Sequence, residues 1–285
     1  MPFLSRLSEM SIIYWPLHSR VTAFTTTRPK GYSKGEYGQF NINPWGGDDL
    51  DAVLRNRQLL CQTLELYDID HIILPHQVHD TKCFQVKREF FSLSEETRKT
   101  ALEGIDIVMT DVTCVSVGVS TADCVPILLY DFKHHTACAI HAGWRGCVQR
   151  AIPKAIQAMR KAYESRPEEM KALIGPHISM HRYPVGADVL VEFAKAGFDI
   201  EKYTKATNLW DQQHLDIPEE NRRWDLDLNS ICKSELRDAG IQSRQILNAD
   251  SCTFDNPDLY FSARRQGIAC GRNYTGIILH HLIPR

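Results

Sequence analysis

The chain has 285 residues, of which 43% are hydrophobic and 24% charged, a balance typical of a folded globular protein that excludes extensive disorder. Its 33 basic and 35 acidic residues leave a net charge of −2, so we expect no basic surface for nucleic acid or anionic membranes. All apolar runs are shorter than the ~18 residues that span a bilayer. The nine cysteines include no CxxC pair and are expected to be reduced and mostly buried in a cytoplasmic protein.

Short apolar runs predict nine strands, which alternate with longer segments of helical periodicity. The predicted strands are, in chain order, residues 20–27, 71–74, 105–110, 114–120, 125–130, 136–141, 172–175, 245–248 and 276–281. The strands between residues 105 and 141 follow one another without a helix, so we expect hairpins and a mixed sheet. The prediction is a single α+β domain that spans residues 1–285.

Four segments place apolar residues at helical spacing. They are residues 53–64, 148–163, 185–193 and 228–236. Pro153 lies inside the second segment, where it removes an amide donor, so we expect either a kink or a late helix start. Residues 30–47 and 210–223 are predicted as the longest loops.

Titratable residues concentrate in three short motifs, each at the end of a predicted strand. The motifs are Pro75-His76-Gln77-Val78-His79, Thr121-Ala122-Asp123-Cys124 and His141-Ala142-Gly143-Trp144-Arg145. Active sites are commonly built from loop groups at strand ends, so the three motifs are candidates for one site. If they converge, His79, Cys124 and His141 offer two imidazoles and a thiolate to an ion such as Zn²⁺, with a fourth position open. The alternative is that the three residues belong to the core at strand ends and bind no metal.

The same residues are compatible with other chemistry. Cys124 could be the nucleophile of a metal-free hydrolase, with His141 as its base. His76 could be a fourth metal ligand, which would make the site structural, or a loop histidine. Gly143 and Arg145 open a predicted helix, where free amides and a guanidinium would favour an anion such as phosphate. Pairing of Arg145 with a carboxylate is the alternative.

In this order and spacing, the motifs QVH, TADCxPxLLYD and HAGWRG resemble the bacterial YfiH-type family, whose members are also described as laccase-domain or peptidoglycan-editing-factor proteins. Further matching segments lie along nearly the whole chain. They include Phe24-Thr25-Thr26-Thr27-Arg28, Gly47-Asp48-Asp49, Trp224-Asp225-Leu226 and Phe261-Ser262-Ala263-Arg264-Arg265. The family has a double glycine after the first of these segments, where this chain has Pro29-Lys30-Gly31. We therefore expect the loop beside Arg28 to differ in shape.

The resemblance implies a four-layer α/β/β/α fold with two mixed β-sheets flanked by helices, and a zinc site formed by His79, Cys124 and His141. It implies purine nucleoside phosphorylase activity on adenosine or inosine, with adenosine deaminase as a side activity. The alternatives attached to the family are copper-dependent polyphenol oxidase (laccase) activity and hydrolytic editing of peptidoglycan precursors. The expected ligands are a purine nucleoside and phosphate, and the protein is expected to be a monomer without a nucleic-acid or membrane partner.

The histidine pattern argues against a multicopper centre. Trinuclear copper oxidases use repeated His-x-His pairs, and the twelve histidines of this chain include none. Cu²⁺ could still occupy a site with one cysteine and two histidines, because it outcompetes Zn²⁺ at most nitrogen and sulfur ligands.

The candidate reactions assign different roles to the motifs, and the predicted catalytic set is His79, Cys124, His141 and Asp123. Phosphorolysis needs a phosphate beside C1′ of the ribose. The predicted phosphate- or substrate-binding residues are Arg145, Gly143, Arg28 and Gln77. Deamination needs a metal-activated water and a carboxylate that moves protons, and Asp123 is the nearest carboxylate in the sequence. A structural hydrogen-bond acceptor is the alternative role for Asp123.

Overall fold

The structure is a computed structural model that describes residues 12–206 and 223–282. Its strands are β1 (Ile12–Trp15), β2 (Val21–Thr26), β3 (Ile72–Ile73), β4 (Cys83–Val86), β5 (Ile107–Thr110), β6 (Ser116–Thr121), β7 (Val125–Asp131), β8 (Thr136–Ala142), β9 (Met170–Ile174), β10 (Pro184–Val185), β11 (Thr204–Ala206), β12 (Trp224–Leu226), β13 (Ile246–Asn248) and β14 (Asn273–Leu279). Its α-helices are α1 (Leu50–Thr63), α2 (Glu95–Ala101), α3 (Trp144–Val148), α4 (Ala151–Tyr163), α5 (Ala187–Lys195), α6 (Leu228–Asp238) and α7 (Ala263–Gln266).

Two large mixed sheets form the centre of the fold. One has five strands in the order β1-β2-β14-β6-β3, and the other has six in the order β13-β9-β7-β8-β5-β4. Both sheets are mixed. In the five-stranded sheet β6 pairs in parallel with β3 and antiparallel with β14. In the six-stranded sheet β4 and β5 pair in parallel, whereas β7 and β8 pair antiparallel. Strands β10, β12 and β11 form a small third sheet that the sequence did not predict.

The two large sheets pack face to face, with helices on both outer sides. Val117 of the five-stranded sheet and Leu128 of the six-stranded sheet share one buried cluster between the sheets. Ile156 of α4 packs with the outer face of the six-stranded sheet. Leu60 of α1 packs with Phe24 on the outer face of the five-stranded sheet. The predicted four-layer α/β/β/α fold is therefore confirmed.

Strand β7 shows how the six-stranded sheet is buried on both faces. Ile127 and Leu129 pack with the outer helices, whereas Leu128 and Tyr130 point between the two sheets. Successive side chains of a strand point to opposite faces, so a strand covered on both sides is apolar throughout. Because β7 and β8 pair antiparallel, the polar turn before β7 and the turn after β8 lie at the same end of the sheet.

All nine predicted strands and all four predicted helices are present, with shifted ends. Helix α4 begins at Ala151, so Pro153 lies in the first helical turn, where an amide has no intrahelical acceptor to lose. The late helix start is therefore confirmed. The sequence analysis did not predict β1, β4, α2, α7 or the small sheet. Within residues 30–47 only a short 3₁₀ turn at Gly35–Tyr37 interrupts the predicted loop, and most of the loop predicted at 210–223 lies outside the described residues.

All nine cysteines are unpaired, and five of them are buried. None of the helices within residues 12–206 and 223–282 combines the length and the hydropathy that a membrane span requires.

Candidate metal centre

The three sequence motifs meet at one end of the six-stranded sheet. His79 lies in the loop after β3, Cys124 in the turn before β7, and His141 near the end of β8. Nε2 of His79 lies 3.9 Å from Sγ of Cys124, and the rings of His79 and His141 have centroids 4.7 Å apart. One donor atom from each residue lies within 4.8 Å of the other two. The predicted triplet therefore forms a cluster that can hold a metal ion.

Asp106, which the sequence analysis missed, orients two of these residues. Its buried carboxylate accepts a hydrogen bond from Nδ1 of His141 at 2.7 Å. It also accepts hydrogen bonds from the backbone amides of Val78, His79 and Asp80, each at 3.0 Å. Because the proton on Nδ1 of His141 faces the carboxylate, Nε2 is left as the metal-binding atom. Asp106 thus sets the tautomer of one candidate ligand, His141, and orients the loop that carries another, His79.

The electrostatics of the cluster favour a thiolate at Cys124. Burial raises the pKa of this thiol, but the imidazoles of His141 and His79 outweigh burial and lower the pKa to about 6. Burial lowers the pKa of His141, whereas Cys124 and Asp106 raise it to about 9. Without a bound ion, the coupled pair is therefore a thiolate and an imidazolium at neutral pH. The thiolate is the form of cysteine that binds a metal or acts as a nucleophile.

Gly143 allows the cluster to pack closely. A Cβ atom at this position would lie 3.0 Å from Sγ of Cys124 and 3.1 Å from Cδ2 of His79. Both separations are shorter than the optimal contact distance of about 3.5–4.0 Å. The helix that Gly143 opens has only five residues, because the chain turns through Arg150, with a φ of 62°, before α4 begins. This glycine therefore serves the packing of the metal cluster.

A cavity of about 560 Å³ opens onto the cluster. Its lining combines polar side chains from all three predicted motifs with aromatic and basic side chains from other segments. The residues that matter for the chemistry, besides the cluster itself, are Trp45, His76, Thr121, Arg145, Tyr183 and Arg264. The guanidinium of Arg145 lies over the Trp144 ring, 4.3 Å from its centroid.

Two of the predicted substrate-binding residues, Arg28 and Gln77, make hydrogen bonds to the backbone of surrounding segments. The structure does not bring Arg28 into the cavity, because its guanidinium donates to the backbone carbonyls of Gly38 and Pro257. Gln77 does line the cavity, but its amide binds the backbone of Ser120 in both directions, at 2.7 and 3.0 Å. These contacts hold the loop that carries Arg28, and the predicted contact of Arg28 with substrate stays a prediction.

Asp123 lines the cavity, but both of its carboxylate oxygens are occupied. One accepts the hydroxyl of Thr253 at 2.6 Å, and the other accepts the backbone amide of Arg264 at 2.7 Å. The residue is buried and has a φ of 93°, which is uncommon outside glycine. These contacts favour the structural role of Asp123 over the proton-transferring role.

His76 lies at the side of the cavity, apart from the metal cluster. Its Nδ1 lies 2.7 Å from Oε1 of Glu103, and its ring stacks on Trp45 with centroids 4.8 Å apart. Among the described residues it does not belong to the group of converging metal-binding atoms. A fourth ligand can therefore come from the cavity.

Two further lining residues have no role that the sequence predicts. Oγ1 of Thr121 is buried and has no hydrogen-bond partner among the described residues. Arg264 reaches the cavity from α7, far along the chain from the three motifs. Thr121 lies within one of the three motifs, and Arg264 lies within a segment that resembles the family. Nothing in the sequence distinguishes either residue from its neighbours as a ligand contact.

Comparison with known proteins identifies the family. Residues 22–280 match the family model described as multi-copper polyphenol oxidoreductase laccase. The chain belongs to this family. A purine nucleoside phosphorylase of Bacteroides thetaiotaomicron is 35% identical over 263 residues, which cover 92% of this chain and 93% of that protein. Adenosine deaminase RL5, from an unknown prokaryotic organism, is 32% identical over 257 residues, which cover 90% and 93% of the two chains.

The fold agrees with a solved structure of the same family. The crystal structure of the Bacillus licheniformis hypothetical protein YfiH matches with a TM-score of 0.80 at 26% identity, covering 94% of this chain and 96% of that chain. The resemblance to the YfiH-type family is therefore confirmed.

Proposed function

We propose that the protein is a zinc-dependent purine nucleoside phosphorylase that acts on adenosine or inosine, with adenosine deaminase as a side activity. The observation that carries the proposal is one cavity that joins a three-residue metal cluster to Arg145, a guanidinium without a carboxylate partner among the described residues. The names of the Bacteroides thetaiotaomicron relative and of RL5 support the same two reactions.

The donor set of the cluster fits zinc. Tetrahedral zinc with bonds of about 2.3 Å to sulfur and about 2.0–2.1 Å to nitrogen places those two ligands about 3.6 Å apart. The separation between Sγ of Cys124 and Nε2 of His79 is 3.9 Å, so a small side-chain movement suffices. Two imidazoles and one thiolate also leave one position for a ligand from the cavity, as in catalytic zinc sites.

Phosphorolysis assigns a role to each part of the site. An oxygen of phosphate forms a bond to C1′ of the ribose while the bond between C1′ and N9 of the purine breaks. The electron pair leaves with the purine, which takes up a proton. Arg145 holds the phosphate through charge-assisted hydrogen bonds, and Asp106 keeps His141 oriented. A zinc ion, when bound, supplies a Lewis acid that polarises a ligand oxygen.

The decisive experiment is to incubate adenosine and inosine with and without phosphate and to separate the products by chromatography. We expect free base and ribose 1-phosphate only when phosphate is present. Release of base without phosphate would indicate a hydrolase and contradict the proposal. The absence of nucleoside turnover would also contradict the proposal.

Metal analysis tests the cluster separately. We expect one zinc ion per chain in freshly purified protein and its loss in Cys124→Ala. Cys114→Ala is the matched control, because Cys114 is exposed and lies outside the cluster. Equal zinc contents in the Cys124 and Cys114 variants would contradict the assignment.

Adenosine deamination is the second activity, supported by the metal cluster and by the name of RL5. The occupied carboxylate of Asp123 limits this reaction, since Thr253 and Arg264 already donate to its two oxygens. We therefore expect deamination to be slower than phosphorolysis. Conversion of adenosine to inosine in the absence of phosphate measures it directly.

Two alternatives use the same residues differently. The coupled thiolate and imidazolium of Cys124 and His141 support a metal-free hydrolase that edits peptidoglycan precursors. Copper oxidation is supported by the family description. Among the described residues, however, the two candidate metal clusters are Cys-His₂ and Asp-His-Glu, so a centre built from repeated His-x-His pairs has no ligands there. Hydrolysis of a muropeptide, without nucleoside turnover, would favour the hydrolase.

A further inference from the structure

We propose that Arg264 and Arg145 together form a subsite for a dianionic phosphoryl group, and that inorganic phosphate occupies it during the reaction. This inference rests on the proposed phosphorolysis. It adds to the site a residue from a distant part of the chain, and it names the charge of the ligand that this residue binds.

The side chain of Arg264 is oriented by contacts with the protein, and part of its guanidinium remains available to bind a ligand. Its Nη1 donates to the backbone carbonyl of Pro184 at 2.9 Å, and its guanidinium carbon lies 5.0 Å from the centroid of the Tyr183 ring. Its backbone amide is fixed by Asp123. Nε and Nη2 make no hydrogen bond to any described residue, and the side chain lines the cavity. The fold therefore restricts the orientation of this side chain and leaves donors for a ligand.

Arg145 is in a similar state. Its guanidinium rests over the ring of Trp144, and the side chain makes no hydrogen bond or ion pair with a described residue. Both arginines are exposed and line the same cavity, so their free donors are accessible to a ligand that enters it. The carboxylate of Asp123 also lines the cavity and offsets one positive charge, so the two guanidiniums still leave a net positive charge there. A bound anion balances this charge.

The chemistry of the two groups selects a phosphoryl dianion. Guanidinium groups bind phosphate oxygens with paired, parallel hydrogen bonds. Two of them carry a charge of +2, which matches a phosphate that has lost two protons. A divalent ion held by one thiolate and two neutral imidazoles adds a further positive charge beside the same cavity.

Arg265, the next residue in α7, provides the internal comparison. Its Nε donates to the backbone carbonyl of Phe254 at 2.8 Å, and its guanidinium lies over the Phe254 ring at 4.3 Å. It is not among the residues that line the cavity. Arg265→Met is therefore a control that makes the same change of charge at the same helix without touching the subsite.

The test compares Arg264→Met, Arg264→Lys and Arg265→Met in steady-state kinetics. We expect Arg264→Met to raise the KM for phosphate by about ten- to a hundred-fold, the size expected for losing a charge-assisted contact. The KM for ribose 1-phosphate in the reverse reaction should rise by a similar factor, because the same phosphoryl group is bound. The KM for nucleoside and the rate of deamination should change by less than about threefold, since neither uses the subsite. Arg264→Lys should recover part of the loss, and Arg265→Met should match the wild type.

A binding measurement separates the subsite from turnover. Inorganic phosphate should raise the Tm of the wild type and of Arg265→Met, and it should raise the Tm of Arg264→Met and Arg145→Met much less. An unchanged phosphate KM together with an unchanged phosphate-induced Tm shift in a folded Arg264→Met variant would overturn the inference. A rise in nucleoside KM alone would also overturn it, by placing Arg264 at the nucleoside. Weaker binding of adenosine 5′-monophosphate alone would overturn the assignment to inorganic phosphate, by placing the phosphoryl group of a nucleotide there. Failure of the proposed function looks different: the wild type then releases no base from nucleoside and phosphate.

Discussion

Replacing Asp106 with asparagine tests whether the carboxylate behind the metal cluster controls metal affinity. One oxygen of Asp106 accepts from the amide of His79 and from Nδ1 of His141, and the other accepts from the amides of Val78 and Asp80. Asparagine has only one acceptor oxygen, so its NH₂ group must face donors on one of the two sides. Each buried donor left without an acceptor costs about 1–3 kcal/mol. We therefore expect the free energy of unfolding to fall by about 2–5 kcal/mol.

The expected effect on metal binding follows from the same contacts. If the asparagine NH₂ group faces His141, Nδ1 of His141 can no longer donate to it, and the neutral tautomer that presents Nε2 of His141 to the metal is lost. If the group faces the amides of Val78 and Asp80, the loop that carries His79 is displaced. Loss of such an outer partner typically lowers metal affinity about 10–100-fold. Competition with a chelator measures this affinity, and urea unfolding of the metal-free protein measures the stability change separately.

Asp111→Asn is the matched control, because Asp111 is exposed at the opposite end of β5 from Asp106. It removes the same charge without touching the cluster. If folded Asp106→Asn protein binds zinc as tightly as the wild type, the assigned role of Asp106 is wrong. If Asp111→Asn weakens binding equally, the effect is a general one of charge.

Three further substitutions test other parts of the structure. Gly143→Ala should lower zinc content and activity together, because the added Cβ would lie 3.0 Å from the ligating sulfur; normal zinc content in this variant would contradict that packing argument. Thr121→Val should raise the KM for nucleoside or phosphate about 3- to 10-fold with little change in Tm, since the hydroxyl of Thr121 has no partner within the described chain. Thr121→Ser should preserve both KM values. Unchanged KM values in the valine variant would exclude a ligand contact. Burial raises the pKa of Glu235 to about 7 despite its contact with Arg150, so the folded state holds this proton more tightly than the unfolded state and stability should fall by about 3 kcal/mol as pH rises from about 4.5 to above 7. Glu235→Gln should remove that part of the pH dependence in urea unfolding, and an unchanged slope would show that another group titrates.

The convergence of His79, Cys124 and His141 could be predicted from the sequence, because each belongs to a short motif beside a strand with a clear apolar pattern. The continuous apolar run of β7 identifies a strand buried on both faces, and Cys124 directly precedes it. His141 lies near the end of β8, which pairs with β7 along its whole length. Once those two strands form a hairpin, their motifs are brought together. Local sequence thus contained most of the information that places Cys124 beside His141.

Asp106 could not be predicted in the same way, because its partners are distant and of ordinary type. It lies 35 residues from His141 and 27 from His79, and three of its four hydrogen bonds come from backbone amides, which carry no sequence signal. Two strands, β1 and β4, escaped prediction for a related reason. β1 and β4 lie at the edges of their sheets and are partly exposed, so their apolar pattern is weak.

The arginines show what decides between a structural and a ligand-binding role. Arg28, Arg145 and Arg264 all lie in segments that resemble the family, and sequence alone favoured the first two. Arg28 donates to carbonyl oxygens 10 and 229 residues away, so only the assembled fold supplies its acceptors. Arg145 and Arg264 reach the cavity with donors that find no acceptor among the described residues. Both guanidiniums are exposed and keep their charge at any physiological pH, so their free donors are accessible to a ligand from solution, and a phosphoryl group can bind them with paired hydrogen bonds.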